Sequence, residues 1–109
     1  MSTKPLHIWI VNDSEKTEFQ GKKNWYKWWI YLELDDSSVN RIDKVVYHLH
    51  PSFPKQEIVT TNKKNNFRFE TIGWGMFEVG VDIYYDNNPK NVIKAKHYIS
   101  FYQIGRAHV

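Results

Sequence analysis

The chain has 109 residues, enough for one domain that buries roughly 60–70% of the surface its unfolded form exposes. It contains no cysteine, which excludes a thiolate nucleophile, a disulfide framework and a cysteine-based zinc site, and which fits a reducing compartment. The formal net charge of +3 comes from scattered Lys and Arg, so it is weak support for any polyanionic partner. Aromatic residues make up 17% of the chain, so we expect some of them at the surface or along a groove.

The N-terminal residues are polar, and no apolar run is long enough for a signal peptide or a membrane span. We therefore expect an intracellular, cytoplasmic protein with no membrane partner, or a nuclear one if its source is eukaryotic.

Period-2 alternation dominates the chain, and no stripe of apolar residues repeats at helical spacing. The alternation predicts strands over residues 7–11, 25–34, 42–49, 56–61, 67–72, 77–85 and 92–102, separated by polar turns. In the clearest strand, Phe77, Val79, Val81, Ile83 and Tyr85 share one face. A charged stretch over residues 13–23 is predicted to be a loop, and residues 105–109 a frayed tail.

This pattern predicts an all-β fold. Seven to eight short antiparallel strands within about 100 residues are typical of an immunoglobulin-like β-sandwich, with a small barrel as the alternative. No repeat or composition shift suggests a second domain, so we expect residues 1–109 to form one domain.

Two connecting segments present aromatic side chains. The first is residues 48–54, His-Leu-His-Pro-Ser-Phe-Pro, and the second is residues 73–77, Gly-Trp-Gly-Met-Phe. Each follows a strand-like run and contains Gly or Pro, so Phe53 and Trp74 are expected on loops, where binding residues concentrate.

Two aromatic faces on separate loops suit a flat, neutral guest such as an amide or an unsaturated acyl chain. The Ser52 hydroxyl could bond such an amide, and glycines at 73 and 75 would let the backbone around Trp74 approach it. Spacing alone favours a plainer interpretation, in which Phe53 and Trp74 cap the open end of the sandwich and the glycines serve a turn.

Other chemistries find little support. His48 and His50 lie two residues apart but lack a third ligand at suitable spacing, so no metal site and no cofactor are predicted. No phosphate loop, nucleophile elbow or triad pattern is present, so we predict no enzyme and no catalytic residue. Single-stranded nucleic acid is a competing ligand, because residues 22–31 mix Trp and Tyr with Lys, although no basic stripe is visible and nucleic acid is the weaker interpretation.

The two loops together resemble those of the YEATS domain. Residues 45–54, Val-Val-Tyr-His-Leu-His-Pro-Ser-Phe-Pro, are similar to the strand and loop of that family, and Gly73-Trp74-Gly75-x-Phe77 is similar to its second loop. The match is in register over residues 45–77 and weaker over 28–101. The resemblance implies an immunoglobulin-like sandwich whose end loops hold an acyl-lysine between two aromatics.

By that resemblance, Phe53 and Trp74 would flank the acyl group, and Ser52 with the Trp74 backbone would bind its amide. His50 and Phe77 would support the loops and the pocket wall. The slot would be open at its far end and would admit crotonyl as well as acetyl groups.

Met76 departs from the pattern, because the Trp-containing branch usually has Glu there; a thioether would make the rim more apolar. The segments around residues 25–31 and 67–69 look more like the prokaryotic YEATS branch, for which histones would be the wrong partner.

The sequence thus favours a non-catalytic reader of acetyl- or crotonyl-lysine in a peptide or protein, with histone as the partner only in a eukaryote. The alternative is a YEATS-like sensing or adaptor module of a prokaryotic signalling or defence system without acyl-lysine activity. Single-stranded nucleic acid binding comes third.

Overall fold

A computed structural model describes residues 6–73, 75, 77–99 and 105–109. The described part of the chain forms eight strands with two short helical turns, α1 (Asp36–Val39) and a 3-10 turn (Lys63–Asn65). The strands are β1 (Ile8–Phe19), β2 (Lys22–Leu34), β3 (Ile42–His48), β4 (Glu57–Thr60), β5 (Phe69–Gly73), β6 (Phe77–Tyr85), β7 (Val92–Ile99) and β8 (Gly105–His108).

The strands form two four-stranded antiparallel sheets, with the orders β5-β2-β1-β8 and β4-β3-β6-β7. The all-β prediction is confirmed, and the two packed sheets form an immunoglobulin-like sandwich. No helix in the described residues is long and apolar enough to cross a membrane.

The core lies between the sheets, and the alternation in the sequence identifies its members. On β2 every second residue from Trp28 to Leu32 is buried, and on β6 every second residue from Val79 to Ile83 is buried. These side chains point the same way because successive residues of a strand face opposite sides of its sheet. Tyr47 of β3 is also fully covered.

Residues 13–23 are not a loop. They form the distal part of the β1–β2 hairpin, which pairs Asp13 with Trp29 and continues to Phe19 opposite Lys22. Gln20 and Gly21 make the turn, with φ of 52° and 77°. Backbone pairing holds this segment in place. Because Glu15, Lys16 and Glu18 are exposed, the sequence lacks the apolar alternation that identifies a buried strand.

Residues 105–109 are not a frayed tail. β8 pairs with the start of β1, Gly105 opposite Asn12, and Val109 donates its N–H to the carbonyl of Ile8 at 2.9 Å. A four-residue strand at the end of the chain has too few residues to show a period. The preceding strand was predicted to reach residue 102; β7 ends at Ile99, and residues 100–104 lie outside the described part.

Candidate ligand-binding site

The strand register brings the two predicted loops to the same end of the sandwich. His48, the last residue of β3, lies opposite Gly80, near the start of β6, so the β3–β4 loop lies beside the β5–β6 connection. Tyr26 of β2 lies opposite Gly73, the last residue of β5, which brings the neighbouring Trp28 under the same end.

The β3–β4 loop is closed by backbone hydrogen bonds. Leu49 donates its N–H to the carbonyl of Gln56 at 2.7 Å, and Phe53 donates its N–H to the carbonyl of His50 at 3.0 Å. The second bond closes a tight turn through Pro51, which proline's fixed φ favours. His50, Pro51 and Ser52 are exposed, whereas Phe53 is half-buried.

The ring of Phe53 packs onto the end of the core. Its centroid lies 5.2 Å from that of Phe77 and 6.4 Å from that of Trp28, with interplanar angles of 52° and 83°. These are the tilted and edge-on geometries that aromatic pairs prefer. Phe53 therefore caps the sandwich with part of its surface and keeps the rest open to solvent.

His50 and Ser52 form a local hydrogen-bonded pair. The Ser52 backbone N–H donates to Nδ1 of His50 at 3.1 Å. Ser52 Oγ lies 2.9 Å from the same Nδ1, within hydrogen-bond distance. In either direction of that bond, Oγ keeps at least one lone pair for another donor.

Gly73 is buried, and Gly75 and Phe77 are half-buried. The Phe77 ring lies 6.3 Å from the imidazole of His50, so it contacts both Phe53 and His50 as a wall between them. The structure thus brings together Phe53, Ser52, His50, Gly73 and Phe77. The predictions for Trp74 and Met76 fall on residues outside the described part of the chain.

A family model for the prokaryotic YEATS domain matches residues 26–100. The chain belongs to this family. The Transcription initiation factor TFIID subunit 14 of Schizosaccharomyces pombe is 34% identical over 70 residues, which cover 63% of this chain and 27% of that protein. The present chain therefore spans about a quarter of that relative.

Solved YEATS domains share the fold. A structure of the Yaf9 YEATS domain recognizing an H3K122suc peptide superposes with a TM-score of 0.74 at 18% identity, covering 100% of this chain and 88% of that one. The Yaf9 YEATS domain bound to H3K27ac gives a TM-score of 0.72 at 18% identity, covering 94% of this chain and 82% of that one. Yaf9 is a yeast protein. At this identity the likeness establishes the fold.

In this YEATS domain the two neighbouring histidines have separate surroundings. His48 lies on the exposed face of its sheet with Nε2 2.8 Å from Oδ2 of Asp82, whereas His50 bonds Ser52. Among the described residues, no group of three His, Cys, Asp or Glu side chains is placed to hold a metal ion.

The sequence did not identify Trp28 as a neighbour of the predicted loop aromatics. Its alternation correctly predicted a buried residue, and it is 0% exposed. Its ring also contacts Phe77, at 5.4 Å between centroids, and forms the floor beneath Phe53. No sequence signal carried this role, because it depends on the register between β2 and β5, which pairs Trp28 with Thr71.

Proposed function

We propose that this domain is a non-catalytic binding module that recognises an acylated lysine side chain, with Phe53 and Trp74 flanking the acyl group. The observation that carries the proposal is the Ser52 hydroxyl, fixed by Nδ1 of His50 at 2.9 Å beside the half-buried Phe53 ring. An oriented acceptor next to an aromatic face suits a planar amide, which has an N–H to donate and a flat surface to stack.

The hydrogen-bonding groups of Ser52 and His50 match an acyl-lysine. The Ser52 oxygen keeps a lone pair beside its bond to His50, so it can accept the N–H of the lysine amide. The amide carbonyl is left to a backbone N–H of the Gly73-Trp74-Gly75 segment, where two glycines reduce steric hindrance.

A neutral guest is favoured over free lysine. Residues 50–54 and 73–77 contain no carboxylate that would attract an ammonium group. Acylation removes the lysine charge, so the modified side chain loses less hydration on entering an apolar slot. We propose acetyl and crotonyl groups as guests, with the longer chain passing out of the open end and Met76 adding apolar contact at the rim.

The comparisons support a peptide partner. The two Yaf9 structures match 100% and 94% of the present chain, and their peptides are H3K122suc and H3K27ac. Because the family here is the prokaryotic YEATS domain, we propose a non-histone acylated protein in the cytoplasm as the partner. A histone partner and a nuclear location would apply only to a eukaryotic source.

The test is a titration of otherwise identical acetyl-lysine, crotonyl-lysine and unmodified lysine peptides, followed by tryptophan fluorescence and calorimetry. We expect both acylated peptides to bind more tightly than the unmodified one, and Trp74→Ala and Ser52→Ala to abolish that difference. His48→Gln is the matched control, because His48 lies on the outer face and bonds Asp82. Equal affinity for all three peptides would refute the proposal.

A protein-interaction module without acyl-lysine activity is the second candidate, favoured by the outer face of the β5-β2-β1-β8 sheet. Arg106 lies 4.3 Å over the ring of Trp9, and Arg68 lies 4.9 Å over the ring of Trp29. Rigid, stacked Arg and Trp side chains are enriched at protein interfaces. Binding of a protein partner that survives Trp74→Ala but is lost with Trp29→Ala would favour this function.

The same surface argues against single-stranded nucleic acid. Arg68 is paired with Glu70 at 3.0 Å, and Arg106 with Glu33 at 2.6 Å, so two of the cations beside the Trp rings already face carboxylates. Single-strand binders instead combine stacking rings with an unneutralised positive groove.

A further inference from the structure

The indole N–H of Trp28 is a buried donor without an acceptor. Trp28 is 0% exposed, and Nε1 is the only buried side-chain nitrogen or oxygen in the described part of the chain that has no hydrogen-bond partner. A donor left in this state costs roughly 1–3 kcal/mol relative to a bonded one. Native proteins satisfy most such groups, so an orphan of this kind calls for an explanation, and an acceptor that enters from outside supplies one.

The rings around the indole supply no lone pair. Phe53, Phe69 and Phe77 contact Trp28 at centroid distances of 6.4, 5.9 and 5.4 Å, all with edge-on geometry. Phenylalanine carries only a π face, which is a weak acceptor compared with a carbonyl oxygen. Among the described residues, the rings that pack on this indole are therefore apolar ones at the ligand end of the sandwich.

Gly73 lies close to this donor. A Cβ built at Gly73 would lie 3.2 Å from Nε1 of Trp28, a crowded contact, and 3.7 Å from Cζ of Phe53. The φ of Gly73 is not in the left-handed region, so the backbone conformation itself would accept any residue. The absence of a side chain matters here because a methyl group at this position would press against the indole N–H and lie beside the Phe53 ring.

We infer that Trp28 is a binding residue whose indole N–H donates to the carbonyl oxygen of the acyl amide, at the point where Gly73 brings no side chain against it. This inference rests on the proposed function and adds a specificity-determining contact to it. A carbonyl oxygen has two lone pairs, so it can accept from the indole and from a backbone N–H of the second loop at once.

Nε1 is covered in the described structure, so the guest must displace a neighbouring side chain to reach it. We assign this movement to the half-buried Phe53 ring, which packs edge-on against the Trp28 ring.

The experiment uses the full chain with tryptophan labelled at the indole nitrogen, which gives one N–H signal for each of the five Trp residues. The Trp28 signal is assigned by elimination, from single Phe variants of Trp9, Trp25, Trp29 and Trp74, so the core indole itself is left intact. An acetyl-lysine peptide is then titrated. We expect the Trp28 indole proton to move downfield and to exchange more slowly with solvent, as a newly bonded N–H does.

Gly73→Ala supplies the matched variant, because its methyl carbon would lie 3.2 Å from Nε1 and hinder the approach of an acceptor. We expect it to weaken acetyl-lysine binding by about 2- to 10-fold, the effect of losing one hydrogen bond, and to abolish the Trp28 shift. Ile72→Ala is the control, since Ile72 is on the same strand and its side chain is 37% exposed.

The outcomes separate the two proposals. If the peptide binds and the Trp28 signal does not move, the inference is wrong and the proposed function stands. If no acylated peptide binds, the proposed function fails, and N-methylacetamide is titrated instead. If this amide shifts the Trp28 signal in the parent chain but not in Gly73→Ala, the inference is upheld. If the signal does not shift in the parent chain, the inference is overturned.

Discussion

Tyr47 of β3 donates its hydroxyl hydrogen to the main-chain carbonyl of Phe67, 2.7 Å away, and so ties one sheet of the sandwich to the segment entering β5 of the other. Both residues are fully buried. Phe67 has a φ of 58°, a left-handed conformation that a bulky residue adopts at a cost of roughly 1–2 kcal/mol. The hydrogen bond and the burial of the Phe67 ring together hold this backbone in place.

Tyr47→Phe is therefore expected to lower the free energy of unfolding by about 1–3 kcal/mol, because the Phe67 carbonyl is left buried without its donor. Burial also raises the pKa of Tyr47, so in the folded protein its hydroxyl stays protonated above the pH at which an unfolded tyrosine ionises. Denaturant titrations check the loss. Tyr98→Phe is the control, because Tyr98 is 57% exposed, and it should change stability by less than about 0.5 kcal/mol. Equal stability of Tyr47→Phe and the parent chain would contradict this account.

The buried strands were predictable because their side chains alternate. Trp28, Val81 and Tyr47 all face the core as their positions indicated. The outer half of the β1–β2 hairpin was not predictable. It is polar and is held by backbone pairing, which requires no alternation of apolar side chains in the sequence.

The loop positions of Ser52 and Phe53 were predictable, but the packing of Trp28 beneath Phe53 was not. Proline and serine favour turns, so the Pro-Ser-Phe sequence predicted that Ser52 and Phe53 lie on a loop. The position of Trp28 beneath Phe53 depends on strand register, which alternation alone does not fix, because one sequence pattern is compatible with several registers that differ by two residues.

The hairpin turn offers a stabilising substitution. Gln20 and Gly21 both have positive φ, as a two-residue type I′ turn requires, and Asn-Gly is the preferred pair for that turn. We expect Gln20→Asn to raise the thermal unfolding midpoint slightly. Gly21→Ala should lower the midpoint, because it reduces the free energy of unfolding by roughly 1 kcal/mol. Two variants with the same midpoint would show that the turn does not hold this conformation.

Gly105 is expected to tolerate no side chain. A Cβ there would collide with Oδ1 of Asn12 and lie 3.1 Å from Nε2 of His97, and these two atoms are themselves joined by a buried hydrogen bond of 2.6 Å. Gly105→Ala should lower the free energy of unfolding by about 1–3 kcal/mol through overpacking.

The double variant Gly105→Ala with Asn12→Ala tests the cause, because it removes the colliding atom. Its loss of stability should be smaller than the sum of the two single losses. Additive losses would show that the strain at Gly105 does not involve Asn12.

His97 should make stability depend on pH. Burial lowers the pKa of His97, so on acidification the unfolded chain takes up a proton at this histidine before the folded chain does. Stability is then lost as the pH falls below about 6.5, the ordinary histidine value, with a slope of at most about 1.4 kcal/mol per pH unit from one group.

The measurement compares unfolding free energies of the parent chain and His97→Gln between pH 7.5 and pH 5.5. Glutamine keeps an N–H donor for Asn12 but does not titrate, so the variant should lose less stability over this interval. The four other histidines are common to both proteins, so the difference isolates His97. Parallel pH profiles would refute the assignment.

His50 is expected to act on the ligand only through Ser52. His50→Phe keeps a ring against Phe77 but removes the Nδ1 that holds the Ser52 hydroxyl and backbone N–H. We expect acetyl-lysine peptide affinity to fall by roughly 2- to 10-fold, the effect of one hydrogen bond, with little change in the unfolding midpoint. In Ser52→Ala, where no hydroxyl remains to be oriented, adding His50→Phe should cost little further affinity. Fully independent losses would mean that His50 acts by a route other than the Ser52 hydroxyl.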